Sequence, residues 1–492
     1  MKDFGIQVIT LENKKDIDEL RNIITTFNKS WMELLFHNLK FPITIVYEKN
    51  YVDKLFRDSY YTYFSSKHFE IDRTCGRLTI FEGNYVYKDF LNDILFDTLQ
   101  QSIIGTVVLR PTKINAIGRT LLNPDKMHIG KMYVQRTKFE ICLLGKLYTI
   151  WAYPFTSQDT ETMLCAETSI WTMLEYYGTR YSEYRTILPS EILDELGNLS
   201  EERVLPSHGL DFRQKSGLLK KFGFHPRTYS KQIYGDDFRK LFHYYVESGI
   251  PITLSLPGHS VVCIGHAAEE YRIENVASTI VNELNYIDSS VFINKYVIID
   301  DNNIPYSIEE YNHFSVFDRE MSLFTVPLYK RIFFEANDAA TVFDFLLKKV
   351  SSLIKWHINT YKLNYENRKN PLVKRIFLTS SRKYKKVRVT DAINFETKKF
   401  YSEILMPKFI WVCEIATYEN YQSRKMLGEI VLDATAARYD HVNSTLLIRI
   451  GDVIGYRNPD EQFTVFNKRL KYRAEGFDIE FKLYENNLKE VM

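Results

Sequence analysis

The chain has 492 residues, too many for one ordinary core, so two or three domains are expected. Hydrophobic residues make up 45% and charged residues 26%, the balance of a soluble globular protein and not of a disordered or fibrous one. With 64 basic against 62 acidic side chains the formal charge is +2, which excludes a global field drawing the chain to nucleic acid or acidic membranes.

The first residues lack the basic flank and apolar core of a signal peptide, and no apolar run approaches the ~20 residues of a membrane-spanning helix. The cysteines, Cys75, Cys142, Cys165, Cys263 and Cys413, are scattered and form no Cys-x-x-Cys pair. That pattern argues for a reducing compartment without disulfides or a structural zinc, so a cytoplasmic location is expected.

Residues 1 to about 145 read as a mixed α+β accessory region. A helix covers roughly Lys15 to Phe36, with Ile17, Leu20, Ile23, Ile24 and Phe27 at helical spacing. Strand-like runs follow at Phe41 to Val46, Arg77 to Phe81, Ile103 to Leu109 and Lys131 to Leu144. Arg110 and Arg119 stand at the ends of such runs and read as structural ion pairs ahead of an anion site.

Residues from about 146 to 330 carry the chemistry. A helix opens at Cys165, with Ile170, Met173 or Leu174, and Tyr177 recurring at spacings of three and four and Gly178 as its stop, an amphipathic pattern. A helix-loop segment at Pro189 to Leu199, a turn at Pro206 to Leu210, and helices at Phe212 to Phe222 (closed by Gly223) and Leu241 to Glu247 come next. Period two then takes over at Pro251 to Leu256, and a second strand opens on His259 after the Pro257-Gly258 turn. A third apolar strand, Tyr296 to Ile299, ends on Asp300 and Asp301. Helices first and strands after give an α+β order. Residues 331 to 492 read as a C-terminal α+β region packed on the others. It comprises a helix from Ala339 to Trp356, a basic stretch from Arg368 to Arg388 read as a solvated surface, and strands at Phe409 to Ile415, Gly428 to Asp433, Ser444 to Ile450 and Ile479 to Leu483.

A cysteine in the first turn of a helix points its sulfur at unpaired backbone amides and the positive end of the helix dipole, which stabilise a thiolate. The same amides, and the side-chain N–H of Gln158 seven residues upstream, are candidate donors to an oxyanion. Standing alone, Cys165 reads as one more small buried residue, and His259 as a core-edge histidine held by backbone. Together, His259 suits the base that takes the thiol proton and returns it to a leaving group. A carboxylate at the end of a neighbouring strand suits the group that fixes the imidazole tautomer. Asp300 and Asp301 both fit, and Asp300, the first polar residue after the apolar run, is preferred.

Gln158, then Cys165-Ala166-Glu167 through Tyr177-Gly178, then Gly258-His259 through Gly265, then Val297 to Asp300, resemble the papain-like fold. The resemblance is closest to the bacterial branch of peptidases that trim double-glycine leaders, and it covers about a third of the chain. It implies Cys165 as nucleophile, His259 as base, an aspartate as orienter and Gln158 in the oxyanion hole. Two departures stand out: Ala166-Glu167 replaces the glycine usual after the cysteine, and a charged insertion from Glu269 to Asn294 separates His259 from Asp300.

Other constellations carry less. His259 and His266, seven apart on one strand, point to opposite faces and are not expected to share a metal. Asp300 to Asn303 lacks the glycine of a calcium loop and meets Pro305. No glycine-rich phosphate loop is present. The expectation is therefore a cytoplasmic cysteine peptidase or isopeptidase, without cofactor or metal, acting on a peptide or protein and meeting any protein partner through its flanking regions. The alternatives are acyl or amide transfer by the same triad, and a non-catalytic binding module on an inactive papain-like scaffold.

Overall fold

The computed structural model describes residues 5–24, 26, 28–273, 276–311, 321–437, 443–457, 470–473, 478–479, 481–485 and 487–491. Helices and antiparallel sheets alternate in layers, an α+β architecture. Three sheets dominate. The first is an all-antiparallel meander of five strands, Ile6–Leu11, Ile43–Tyr51, Cys75–Glu82, Ile103–Leu109 and Ile117–Leu122.

The second, central sheet runs in the order Ser307–Glu310, Lys295–Ile299, His259–Ala267, Ile252–Leu256, Leu323–Tyr329, Phe224–Ser230. Met132–Val134 pairs with the far end of the His259–Ala267 strand, and Lys489–Val491, near the end of the chain, pairs in turn with Met132–Val134. The third sheet takes Ser278–Val281 and Leu284–Asp288 from inside the charged insertion and joins them to six strands of the C-terminal region. Its only parallel pairing among the described residues is Leu284–Asp288 beside Leu372–Ser380. The insertion therefore does not disturb the pairing around it: Val262 faces Ile299 and Cys263 faces Ile298 in direct antiparallel register.

Burial follows the period-two pattern of these strands on both faces of the central sheet. Val262, Ile264, Val297 and Ile299 pack into a core shared with the Cys165–Arg180 helix and the first sheet. Val261, Cys263, Tyr296 and Ile298 pack into another core with the Asp237–Glu247 helix, the long Ala336–Thr360 helix and the third sheet. A strand buried on both sides reads as a continuous apolar run, which is how these two read in the sequence.

Several expectations change. The helix expected over Lys15 to Phe36 is two helices, Ile17–Ile23 and Lys29–His37, and Phe27 lies outside the described residues. Lys131 to Leu144 splits into Met132–Val134 and Thr137–Leu143, which belong to different sheets. The Cys165–Arg180 helix is not amphipathic: every residue from Ala166 to Tyr177 is buried, because sheets cover it on two sides. Nor does Gly178 stop it. The helix runs on to Arg180, and a Cβ at 178 would meet the Arg185 carbonyl carbon at 2.4 Å, so this glycine serves a close chain crossing.

The basic stretch from Arg368 to Arg388 is not a solvated surface. It holds the buried strand Leu372–Ser380 and the helix Ser381–Asp391, and Arg375 and Arg388 are each only 2% exposed. Among the described residues no helix is long and apolar enough to cross a membrane.

Candidate functional site

Cys165 opens its helix after Leu164, whose extended backbone (φ −99°, ψ −174°) sets the chain turning into the first turn. The preceding loop is built around Asp159. Its buried carboxylate accepts the backbone N–H groups of Glu161 (3.0 Å), Thr162 (2.7 Å) and Met163 (3.0 Å) and pairs with Arg110 at 3.3 Å. Arg110 also donates to the Ser157 carbonyl at 2.6 Å. From the neighbouring strand Arg119 pairs with Glu175 of the Cys165 helix at 2.9 Å. Both arginines thus dock the first sheet onto the loop and helix that carry Gln158 and Cys165.

Glu167, two residues into the helix, does not face the thiol. One oxygen accepts the Leu164 N–H at 3.2 Å and the other is hydrogen-bonded by the Ser207 hydroxyl. Burial raises its carboxyl above the usual range. It closes the helix N-terminus, a role that residue type plays widely.

His259 enters its strand from Gly258, whose φ of +66° is a left-handed turn that favours glycine. Its Nε2 lies 2.8 Å from Asp300 Oδ1 and 3.9 Å from Asp301 Oδ1, so Asp300 is the hydrogen-bonded orienter. Asp300 Oδ1 also accepts the Asn302 backbone N–H at 3.0 Å. The imidazole also interacts with Cys165. Burial works against a charged ring here. The hydrogen bonds to Asp300 and Cys165 and the charges of Asp300 and Asp301 overcome it and hold the imidazolium to about 10. His259 therefore carries its proton at neutral pH.

Gln158, half-buried, spends one amide proton on the Asn302 side-chain oxygen at 2.8 Å, and the Asn302 amide sits 3.5 Å from His259 Nε2. An amide nitrogen carries two protons, so a second remains for a developing oxyanion. The Cys165 carbonyl accepts from Thr168 Oγ1 (2.9 Å) and Ser169 Oγ (2.7 Å), and Ser169 also reaches the Ser260 carbonyl at 3.1 Å, tying helix to strand.

Asp301 is the anomaly. It is 6% exposed, and neither carboxylate oxygen accepts a hydrogen bond among the described residues. Thr168 lies beside it and is the smallest of the influences favouring its charge, the same hydroxyl standing 2.9 Å from the Cys165 carbonyl. Burial first, and then the Asp300 charge, push the Asp301 carboxyl up to about 7. His259, Asp300 and Asp301 are close enough for one cation, with ligand atoms within 4.8 Å of one another. Such a cation would have to displace the proton shared by His259 and Asp300. His266, the other histidine of the strand, turns away to Glu247 at 2.9 Å.

The cysteines divide sharply. Burial raises the thiols of Cys75 and Cys413 far up and that of Cys263 to about 12, whereas Cys142 is exposed and Cys165 half-exposed. Asn302, Asp159 and Lys215, which lies under the same site, escaped the motif reading. For Lys215 there was a signal: positions 215, 218 and 219 form one buried helical stripe, and a lysine there is out of pattern. Gln158, Cys165, His259 and Asp300 meet in one place with Asp301 behind them. No protein-family model matches this chain, and no curated protein resembles it significantly in sequence.

Proposed function

We propose that this chain is a cysteine hydrolase of the papain-like kind that cleaves a peptide or isopeptide bond. The observation that supports it most is the position of His259, held by Asp300 at 2.8 Å and interacting with a cysteine in the first turn of a buried helix. The catalytic unit draws on residues 146 to 330, with Met132–Val134 and Lys489–Val491 extending its sheet.

In this mechanism Cys165 Sγ attacks the carbonyl carbon, and the negative charge on its oxygen meets the first-turn amides and Gln158. His259 gives its proton to the leaving amine, the C–N bond breaks, and a thioester remains on Cys165. Water then attacks the thioester carbon. His259 accepts the water's proton, the C–S bond breaks, and the acid leaves while the thiolate and imidazolium are restored. Asp300 keeps the ring in line throughout.

The test incubates the full chain with a library of peptides and reads cleavage by mass spectrometry, with and without a primary amine as competing acceptor. Wild type is expected to cut and Cys165→Ala to be inert, with an unchanged melting temperature. Cleavage surviving in Cys165→Ala would reject the nucleophile. Products bearing the added amine would replace hydrolysis by transfer.

A further inference from the structure

The helix Phe212–Lys221 starts at Asp211, whose side chain accepts the Gln214 N–H at 2.7 Å, and it turns Leu218 and Leu219 into the core. One turn earlier on that same buried stripe stands Lys215, 3% exposed. A lysine is almost never buried unless it is paired, because the ammonium loses its hydration. Here Nζ donates to Ser255 Oγ at 2.6 Å and Ser260 Oγ at 3.4 Å, and among the described residues no carboxylate forms an ion pair with it. Two hydroxyls accept two of its three protons without neutralising its charge.

The strands that carry those serines fix where the ammonium sits. Ser255 pairs with Ser260 in register, Ser260 follows His259, and its carbonyl accepts from Ser169 one turn along the Cys165 helix. Lys215 is therefore held on the face of the sheet that the Cys165 helix covers, beside the start of the strand that presents His259. Burial lowers its affinity for a proton, and the attraction that most opposes this comes from Cys165, ahead of Asp211.

We propose that Lys215 is a positioning residue that supplies a second, buried positive charge to the Cys165 thiolate, so that the nucleophile is held between the His259 imidazolium and the Lys215 ammonium. The proposal deepens the hydrolase reading and rests on it. After His259 gives up its proton to the leaving amine, the ring is neutral. The fixed ammonium keeps a positive charge beside the sulfur while the thioester forms and again when the thiolate is released. The cation stays out of the reacting atoms' path because the two serines hold it.

The experiment follows alkylation of Cys165 by iodoacetamide in the full chain from pH 5 to 10, by peptide mass spectrometry, with exposed Cys142 as internal reference. Lys215→Met is expected to slow Cys165 at pH 7 by about tenfold and to move its profile upward by about one pH unit, with Cys142 unchanged. Lys215→Arg, which keeps the charge, restores the profile at least in part. A purely structural lysine would alter melting in both variants and leave the profile where it was, and that result overturns the proposal.

The reciprocal measurement needs no lysine variant. In a chain labelled with 15N at lysine Nζ, the titration midpoint of Lys215 falls when Cys165 is replaced by alanine. An unmoved midpoint also overturns the proposal, even if Lys215→Met does not fold. Failure of the hydrolase reading shows separately, in the wild-type chain, as a Cys165 that alkylates no faster than Cys142.

Discussion

Two buried charge clusters lie on opposite sides of the central sheet, and they are satisfied in different ways. In the C-terminal sheet Arg375 donates to Glu247 (2.7 Å), Glu414 (2.9 Å) and the Tyr484 carbonyl (3.0 Å), and Arg388 to Glu414 and Glu429, each at 2.7 Å. Tyr384 and Tyr401 complete Glu429 at 2.7 and 2.6 Å. Both of these arginines meet carboxylates. Around Cys165, by contrast, Lys215 is held by hydroxyls with no acid in ion-pair contact, and Asp301 has a neighbouring cation but both oxygens without a well-formed hydrogen bond among the described residues. A closed network fixes a fold, because each group is already neutralised. An open one keeps charges available to a reacting group and is where perturbed ionisation gathers.

The largest effect belongs to the closed side. Arg388→Leu leaves Glu429 in the interior without a cation and takes one of two arginines from Glu414, and it should cost about 3–5 kcal/mol in denaturant unfolding. Cys165 alkylation per folded molecule should not change. A loss below about 1 kcal/mol would mean that this network is as open as the other.

Asp301→Asn tests the open side, and the sign follows from its carboxyl. The folded value of about 7 lies above the ordinary aspartate value of 3.8, so the native state carries a penalty that is absent below pH 4, grows between pH 4 and 7, and is complete above pH 7. The asparagine variant should therefore be more stable than wild type by about 1–3 kcal/mol above pH 7 and level with it near pH 4. Equal stabilities at pH 8 would show that Asp301 is satisfied after all. His259 adds a slope of the same direction at higher pH: its stabilisation is full below pH 6.5 and is lost as pH rises through about 10.

The smallest effect is at Asn302, which links Gln158 to the histidine. Asn302→Ala removes one neutral hydrogen bond at the rim, worth about 0.5–1.5 kcal/mol. Peptide cleavage by the variant should slow by about two- to thirteenfold, the kinetic equivalent of that range. An unaltered rate would place Gln158 outside the oxyanion hole.

Local pattern carried the elements around the site far into view. Helical spacing after Cys165, the Pro257-Gly258 turn before His259 and the apolar run ending on Asp300 are all properties of a few neighbouring residues. The site could be assembled on paper because each side chain stands at the end of an element, where the backbone direction is legible. The choice of Asp300 over Asp301 needed the register of two strands across the insertion, and Lys215 needed the knowledge that its helix is covered. The misread basic stretch failed for a related reason. Lysines and arginines signal solvent unless acids from elsewhere in the chain, here Glu247, Glu414 and Glu429, come to meet them.

By itself the sequence determined that a thiol would stand at a helix start, a histidine at a strand start and a carboxylate pair at a strand end, because capping, periodicity and turn chemistry act over a few residues. Only the tertiary structure decided which charges are neutralised. That depends on groups far apart in the chain, 128 residues in the case of Arg375 and Glu247, and in a low-dielectric interior such a meeting governs ionisation more than the residue's own type does.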